Sequence, residues 1–430
     1  MELKYQRKIL ALKSTHPTWG RGKITASLGL NDPQAPHERA VGEFLGKQRG
    51  YYGGPGKVPI ESRPTQPLEY AQHDQIQSLQ RGTKRLQSQV GRWQQFYTAI
   101  AAAAPSLPIP KMPYHEFKPP KLYQELVADI SDAHLNSAWG YDKTDGKTEY
   151  SFDVGCELLY YFVQELCRLS EEDRRLHGLW KLRLRFLGDI LHGHLRVSDE
   201  VTNDFPTAPS VLSTAWTLYQ AVLILLGHFR EIDITCMAGN HARLTNKPDA
   251  QRYVEENLET IVYGILKSLI AGAKLTDRVH ITIPNSRVYT LNQLGHKIKV
   301  GHGDHISGGN SIADIPIYGL GREILRQFRN DVISGQEQGI ALIEYGHWHQ
   351  SCFLSNLLLL NGAMCFTGPW ALEEKGVFTD PSQWIYYTSS KYAIGWSLPL
   401  SLKAGKGRGH PFAYDPEMFI GNKSLGGLKK

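Results

Sequence analysis

Cysteine is scarce in this chain: five in 430 residues, and no two are spaced as C-x-x-C. Cys156, Cys167, Cys236, Cys352 and Cys365 are odd in number and widely spread. That excludes a disulfide framework and a Cys-rich zinc knot, and fits a reducing cytoplasm. Long apolar runs are missing too. No stretch reaches the roughly eighteen consecutive apolar residues of a membrane span, so no membrane association is expected, and AVLILLG (221–227) reads as a short core segment. The opening MELKYQRKIL lacks the continuous apolar core of a secretory signal. What remains, 41% hydrophobic and 21% charged, is an ordinary soluble globular composition.

Charge is placed unevenly. Residues 1–60 hold ten Lys and Arg against four acids (Glu2, Asp32, Glu38 and Glu43), so this segment alone accounts for the formal net charge of +6. Any preference for a polyanion is expected to sit here. The spacing predicts three short helices, over 3–13 (Tyr5, Ile9, Leu12), 23–30 and 37–50 (Val41, Phe44, Leu45). With a Gly-containing turn and surface cations they read as a basic helix-turn-helix-like module over 1–55, with Arg39, Lys47 and Arg49 on or beside a recognition helix. The plain alternative is a three-helix packing domain with a solvated basic face. Residues 56–120 read as a linker, a long amphipathic helix over 72–104 and a Pro-rich connection. That helix either pairs two copies into a homodimer or packs on its own chain.

From about 121 to 400 strand-like runs alternate with long helices, and strands dominate late. Two sheets packed face to face with helices outside are expected, an α+β fold. Polar clusters fall where the apolar strands end. LVADIS leads into Asp132-Ala133-His134. LRLRFL leads into Gly188-Asp189, IDITCMA into Gly239-Asn240-His241, KIKV into Gly301-His302, and IALIEY into Gly346-His347-Trp348-His349. A carboxylate and an imidazole two positions apart can aim at one point as a strand leaves its sheet, and will bind a divalent cation there. One such end is commonplace. Five, four of them preceded by glycine, predict a shared metal site. The tail over 401–430 is Gly- and Lys-rich and is expected to be a partly ordered or solvated extension.

The ordered set D-x-H, G-D, G-N-H, H and G-H-x-H, spanning about 121–370, resembles the calcineurin-like metallophosphoesterase superfamily. The resemblance implies a four-layer α/β/β/α sandwich around a two-metal centre. Asp132, His134 and His349 would hold one ion, and Asn240, His302 and His347 the other, with Asp189 bridging. His241 would be the catalytic histidine beside the metals. Two such cations clamp phosphoryl oxygens and activate the attacking water as hydroxide near neutral pH. The N/O donor set suits Mn²⁺ first, with Fe or Zn²⁺ as alternatives. Arg243 is a candidate to bind phosphate bidentately. Two positions depart from the family pattern: His192 stands where many members carry a second aspartate, and Ala242 where an acid often follows G-N-H. His194 and His305 are expected on solvent-facing loops, and Asn361-Gly362-Ala363 in a structural turn.

The inner ligands do not choose a substrate. The basic front module and a superfamily-level resemblance to nuclease subunits of DNA-break repair complexes favour a DNA nuclease. Many relatives of this length are carried by phages or prophages, which fits DNA processing. A phosphomonoesterase or small-nucleotide phosphodiesterase is the second expectation, and a DNA-binding protein with a vestigial metal site the third. Deleting residues 1–60 should weaken DNA binding and flatten its dependence on salt, measured by titration at several ionic strengths. An unchanged salt slope would place the polyanion contact elsewhere.

Overall fold

The computed structural model describes residues 3–16, 18, 19, 21–29, 41, 44, 45, nine helical positions between 80 and 98, 123–193, 202–245, 251–306, 315–333 and 339–414. The chain forms two compact units, Met1–Gly91 and Arg92–Lys430. In the first, α1 (Leu3–Thr15) and α2 (Arg21–Gly29) bury Ile9, Ile24 and Leu28 together with Val41. Positions 41, 44 and 45 of the expected third helix are helical. Arg39, Lys47 and Arg49 lie outside the described residues, as do His194, residues 51–79 with the expected linker and the start of the expected long helix, and the Pro-rich stretch over 105–120. Tyr97, from the expected long helix, packs against the core of the second unit.

The second unit is built on two sheets. Its elements in chain order are β1 (Gln124–Ile130), α3 (Phe152–His177), β2 (Lys181–Leu187), α4 (Thr207–Leu226), β3 (Glu231–Met237), α5 (Leu258–Gly272), β4 (Val279–Thr282) and β5 (Val288–Gln293). There follow β6 (His296–Gly301), α6 (Ile317–Ile333), β7 (Ile340–Tyr345), β8 (Cys352–Leu354), β9 (Leu358–Leu360), α7 (Pro369–Glu374), β10 (Ser382–Ser389) and β11 (Ser397–Ser401). The first sheet runs β11-β10-β1-β2-β3-β4 and the second β5-β6-β7-β9-β8. Strands β1, β2 and β3 are parallel neighbours, and so are β6 and β7. Their carboxyl ends therefore emerge on common edges, which is where ligand-bearing loops collect.

Helices α3, α4 and α5 cover one face of the first sheet with the largest apolar cluster. Val127, Leu187 and Met237 of that sheet meet Ile298, Val300, Leu342 and Leu359 of the second in another cluster. The second sheet's remaining face packs Ile343 and Tyr345 against Leu320 and Ile324 of α6. Local signals set the helix ends: Ser151 Oγ accepts the Val154 N–H at the start of α3, and left-handed Gly178 closes its end. By length and composition α4 could cross a membrane, but 89% of its apolar window is buried inside the unit.

Helix α5 begins at Leu258, because Asn257 caps it by accepting the Glu259 N–H, and Tyr253 and Val254 pack in turns before it. Strand β10 went unread: nearly every residue of QWIYYTS is buried, so the polar–apolar alternation that marks a half-exposed strand is absent. It pairs antiparallel with β1 and fixes the strand that carries Asp132. In the tail after Ser401, Leu402 and Phe412 are buried in the main core, while Lys403, Ala404, Gly407, Arg408, Gly409 and Pro411 are exposed.

Between the sheets lies a buried polar knot. Arg185 pairs with Glu344 of the second sheet and bonds Tyr386 and Gln293. Its cross-strand neighbour Asp129 is fully buried, with neither oxygen hydrogen-bonded. Burial pushes the Asp129 carboxyl up to about 7, against the pull of Arg185. A carboxyl pKa raised on folding means the folded chain holds its proton more tightly, so stability falls as pH rises from about 4 through 7. Asp129→Asn should thus be more stable than the parent at pH 8 by about 1–3 kcal/mol, with the gap closing by pH 5, in chemical denaturation. A destabilised variant at pH 8 would mean that the carboxylate is needed there.

Candidate metal centre

The five expected strand ends converge. Asp189 follows β2 and is buried, with its Oδ1 accepting the His241 N–H at 2.8 Å. Its Oδ2 lies 3.0 Å from His302 Nε2, beyond β6, and 4.0 Å from His241 Nε2. His302 Nε2 also stands 3.1 Å from Asn240 Oδ1 and 3.2 Å from His347 Nδ1, while its Nδ1 donates to the Leu187 carbonyl at 2.9 Å. On the other side, the Nε2 atoms of His134 and His349 are 3.3 Å apart. Asp132 Oδ2 accepts the His347 N–H at 3.0 Å, and Asp132 Oδ1 is buried without a hydrogen bond, 3.4 Å from His349 Nε2. Ligand atoms of Asp132, His134 and Asp189 lie within 4.8 Å of one another, as do those of Asp189, His302 and His347. Asp189 belongs to both groups.

The donor chemistry fits cations. All three groups around His302 Nε2 are acceptors or imidazoles, and its own Nδ1–H is committed to a carbonyl, so lone pairs converge with at most a proton to share. Burial would lower the His302 pKa, but Asp189 and Asp132 outweigh it and raise it to about 10. That captured proton marks the spot a divalent ion would take, since metal binding displaces ligand protons. Asp189 follows suit: burial opposes ionisation, yet His302 and His241 hold the carboxyl well below its usual range. The carbonyl bond at Nδ1 also fixes the ring orientation that metal-ligating histidines require.

Backbone strain accompanies the site. Asp132 (φ 51°), His134 (φ 46°), Asp189 (φ 53°), His347 (φ 78°) and His349 (φ 56°) are all left-handed, a region non-glycine residues rarely occupy. The left-handed turns thus fall on the candidate ligands themselves. Of the glycines that precede these clusters, Gly188 is left-handed (φ 93°). Gly239 serves close approach: a Cβ there would sit 2.1 Å from the Asp189 nitrogen.

Other residues find different places. His192, read as replacing a supporting acid, puts Nδ1 3.3 Å from His134 Nδ1 and its ring 5.0 Å from that of His241. Arg243 uses its guanidinium on the carbonyls of Asn240 (3.2 Å) and Thr245 (3.0 Å), bracing the loop that presents His241. Buried Ala242 leaves no acid at its position. His305 stands edge-on to Tyr345 and is outside the ligand groups. Asn361 is structural, linking Ser131 and Gln383 behind Asp132. Cys365 Sγ approaches His134 and His349, but burial pushes its thiol well up, towards the weakly ligating protonated form.

Glu259, in the first turn of α5, escaped sequence reading. Fully buried, it accepts the N–H groups of Ile190 and Leu191 (3.1 Å) on Oε1 and of Gly239 (2.7 Å) on Oε2. One carboxylate thus ties the Asp189 loop to the Asn240 loop. The side chains of His241 and His349 are about one-third exposed, while those of Asp189 and Asp132 are buried, so the centre opens on the histidine side. Burial, with His192 and His349 nearby, pulls His241 down to about 4 against the attraction of Asp189. It is therefore neutral at pH 7.

Compared by sequence, the chain matches no protein-family model and no curated protein. Compared by fold, it is similar to a predicted phosphoesterase from Streptococcus pneumoniae TIGR4 at 12% identity, covering 65% of this chain and 99% of that one, with a TM-score of 0.23. It is also similar to Zn-complexed Vps29 from Entamoeba histolytica (12%, 64% and 99%, TM-score 0.25) and to a dimetal phosphatase from Danio rerio (11%, 65% and 99%, TM-score 0.30). At such identities and TM-scores these likenesses carry no weight for activity, which has to be read from the site.

Glu259→Gln should lower divalent-metal affinity about 10- to 100-fold in titration calorimetry, because the loops bearing Asp189 and Asn240 lose their common acceptor. Unchanged affinity would show that the two loops hold their positions independently.

Proposed function

We propose that this chain is a metal-dependent phosphoesterase of the calcineurin-like kind and that its substrate is DNA. One observation carries the reading: two groups of buried, acceptor-rich side chains share Asp189 and leave His241 and His192 at the open side. The packing order of helices, first sheet, second sheet and α6 supports the four-layer sandwich of that family. Asp132, His134 and His349 would hold one ion and Asn240, His302 and His347 the other, with Asp189 between them. Bound there, two divalent cations would supply Lewis acidity to the phosphoryl oxygens and lower the pKa of the attacking water. The N/O donors suit Mn²⁺, with Fe or Zn²⁺ as alternatives.

The remaining work falls to the chain's own groups. His241 stands with its backbone pinned to Asp189 and its ring partly open, so its Nε2–H donates to the oxygen that gains charge as the P–O bond breaks. His192 and His134 flank that ring at 5.0 and 4.6 Å between centroids and limit its rotation. The buried floor keeps bulk water from behind the ligands, which strengthens every charge interaction in the site. For DNA, the support is the basic excess confined to residues 1–60. Water adds to phosphorus as the P–O bond to deoxyribose breaks, a proton released by that water ends on the departing deoxyribose oxygen, and neutral His241 contributes a hydrogen bond to that oxygen rather than a proton.

With Mn²⁺ the full chain should degrade linear DNA. His241→Ala should slow this by roughly 100- to 10,000-fold while the metal content stays as in the parent. Hydrolysis of p-nitrophenyl phosphate with no DNA cleavage would replace this reading by a phosphomonoesterase.

A further inference from the structure

Helix α6 divides into three sectors. On one side Leu320 and Ile324 pack on the second sheet, and buried Glu323 accepts from Lys299 Nζ at 2.9 Å. Beside it lies a solvent-facing apolar sector, and beyond that a cationic edge. Of the thirteen large apolar side chains exposed among the described residues, six lie on it: Ile317, Tyr318, Leu325 (69% exposed), Phe328, Val332 (79%) and Ile333. At the α-helical 3.6 residues per turn, all of these but Ile333 fall within one arc of about 100° beside the buried sector. Tyr318, Leu325 and Val332 repeat every seven residues, with Phe328 at the intermediate step, the spacing of a helix-pairing seam. Gly321 occupies the other intermediate step, and a Cβ there would meet nothing within 4 Å. The seam thus contains an open notch where a neighbour's side chain fits.

Charge says what kind of neighbour. Along the edge away from the sheet run Arg329, Arg322 and Arg326, all exposed, with Arg322 over the Tyr318 ring and Arg326 2.5 Å from Glu323. A second copy laid antiparallel would face this arginine edge with its own. From the notch, the seven-residue spacing and the one-sided cationic edge, we infer that α6 is the docking surface for an acidic amphipathic helix of a partner protein. Its apolar stripe would cover Tyr318, Leu325, Phe328 and Val332, with one residue entering at Gly321, and its carboxylates would meet the arginines. This inference is independent of the metal centre.

The probes are two synthetic amphipathic helical peptides with identical Leu/Ile stripes, one flanked by Glu and one by Lys, titrated against the full chain by fluorescence anisotropy. The Glu-flanked peptide should bind at least about tenfold more tightly, with affinity falling as salt rises. Leu325→Asp combined with Val332→Asp should abolish binding without lowering Tm, because both side chains are exposed. Arg322→Glu with Arg329→Glu should reverse the preference between the peptides. Equal affinity for both peptides, or no binding to either, overturns the inference. So does binding instead to vesicles of phosphatidylcholine with 30% phosphatidylserine, which would make α6 a membrane-contact helix. A concentration-dependent dimer that the double Asp variant dissolves would assign the seam to a second copy.

Discussion

The structure turns on one buried carboxylate. Asp189 accepts a backbone N–H from His241 and faces the ring of His302. Its neighbour across the loop, Gly239, is too close to bear a side chain. A lone ionised carboxylate in such a place is strongly unfavourable. It is tolerable because imidazoles surround it, and it is suited to cations because their lone pairs point the same way. The rest of the second unit supplies this geometry: parallel β1, β2 and β3 deliver three loops to one edge, and β6 and β7 deliver two more from the facing sheet.

Holding five ligands in left-handed backbone costs of order 1–3 kcal/mol each, and the surroundings must over-determine those conformations. They do so through polar ties rather than apolar packing alone. Glu259 gathers three N–H groups from two loops. Gln383 and Asn361 lock Ser131, next to Asp132, to the start of β10. Arg243 braces the loop of His241. The side chains that would hold metal are thus placed by the chain itself, and little reorganisation would be left for binding.

Much of this was legible in the order of residues. The pairs and triplets at Asp132, Asp189, Asn240, His302 and His347 stand out because a ligand must follow an apolar strand directly, and that adjacency survives in one dimension. Glu259 does not, since its partners lie some 20 and 68 positions away and any acid in a first helical turn looks like an ordinary capping charge. His192 read as a missing acid because sequence gives its position and not the 3.3 Å approach to His134. Strand β10 was hidden by being buried on both faces, and the packing of Phe412 by the glycines and lysines around it. The arginines proposed for a recognition helix, Arg39 and Arg49 with Lys47, fall outside the described residues.

Crystals grown with Mn²⁺ and measured at the manganese absorption edge test the centre most directly. Two anomalous peaks about 3.5–4 Å apart, both within bonding distance of Asp189, are expected. A single peak away from Asp189, or none with the ligands still converged, would contradict a two-ion centre.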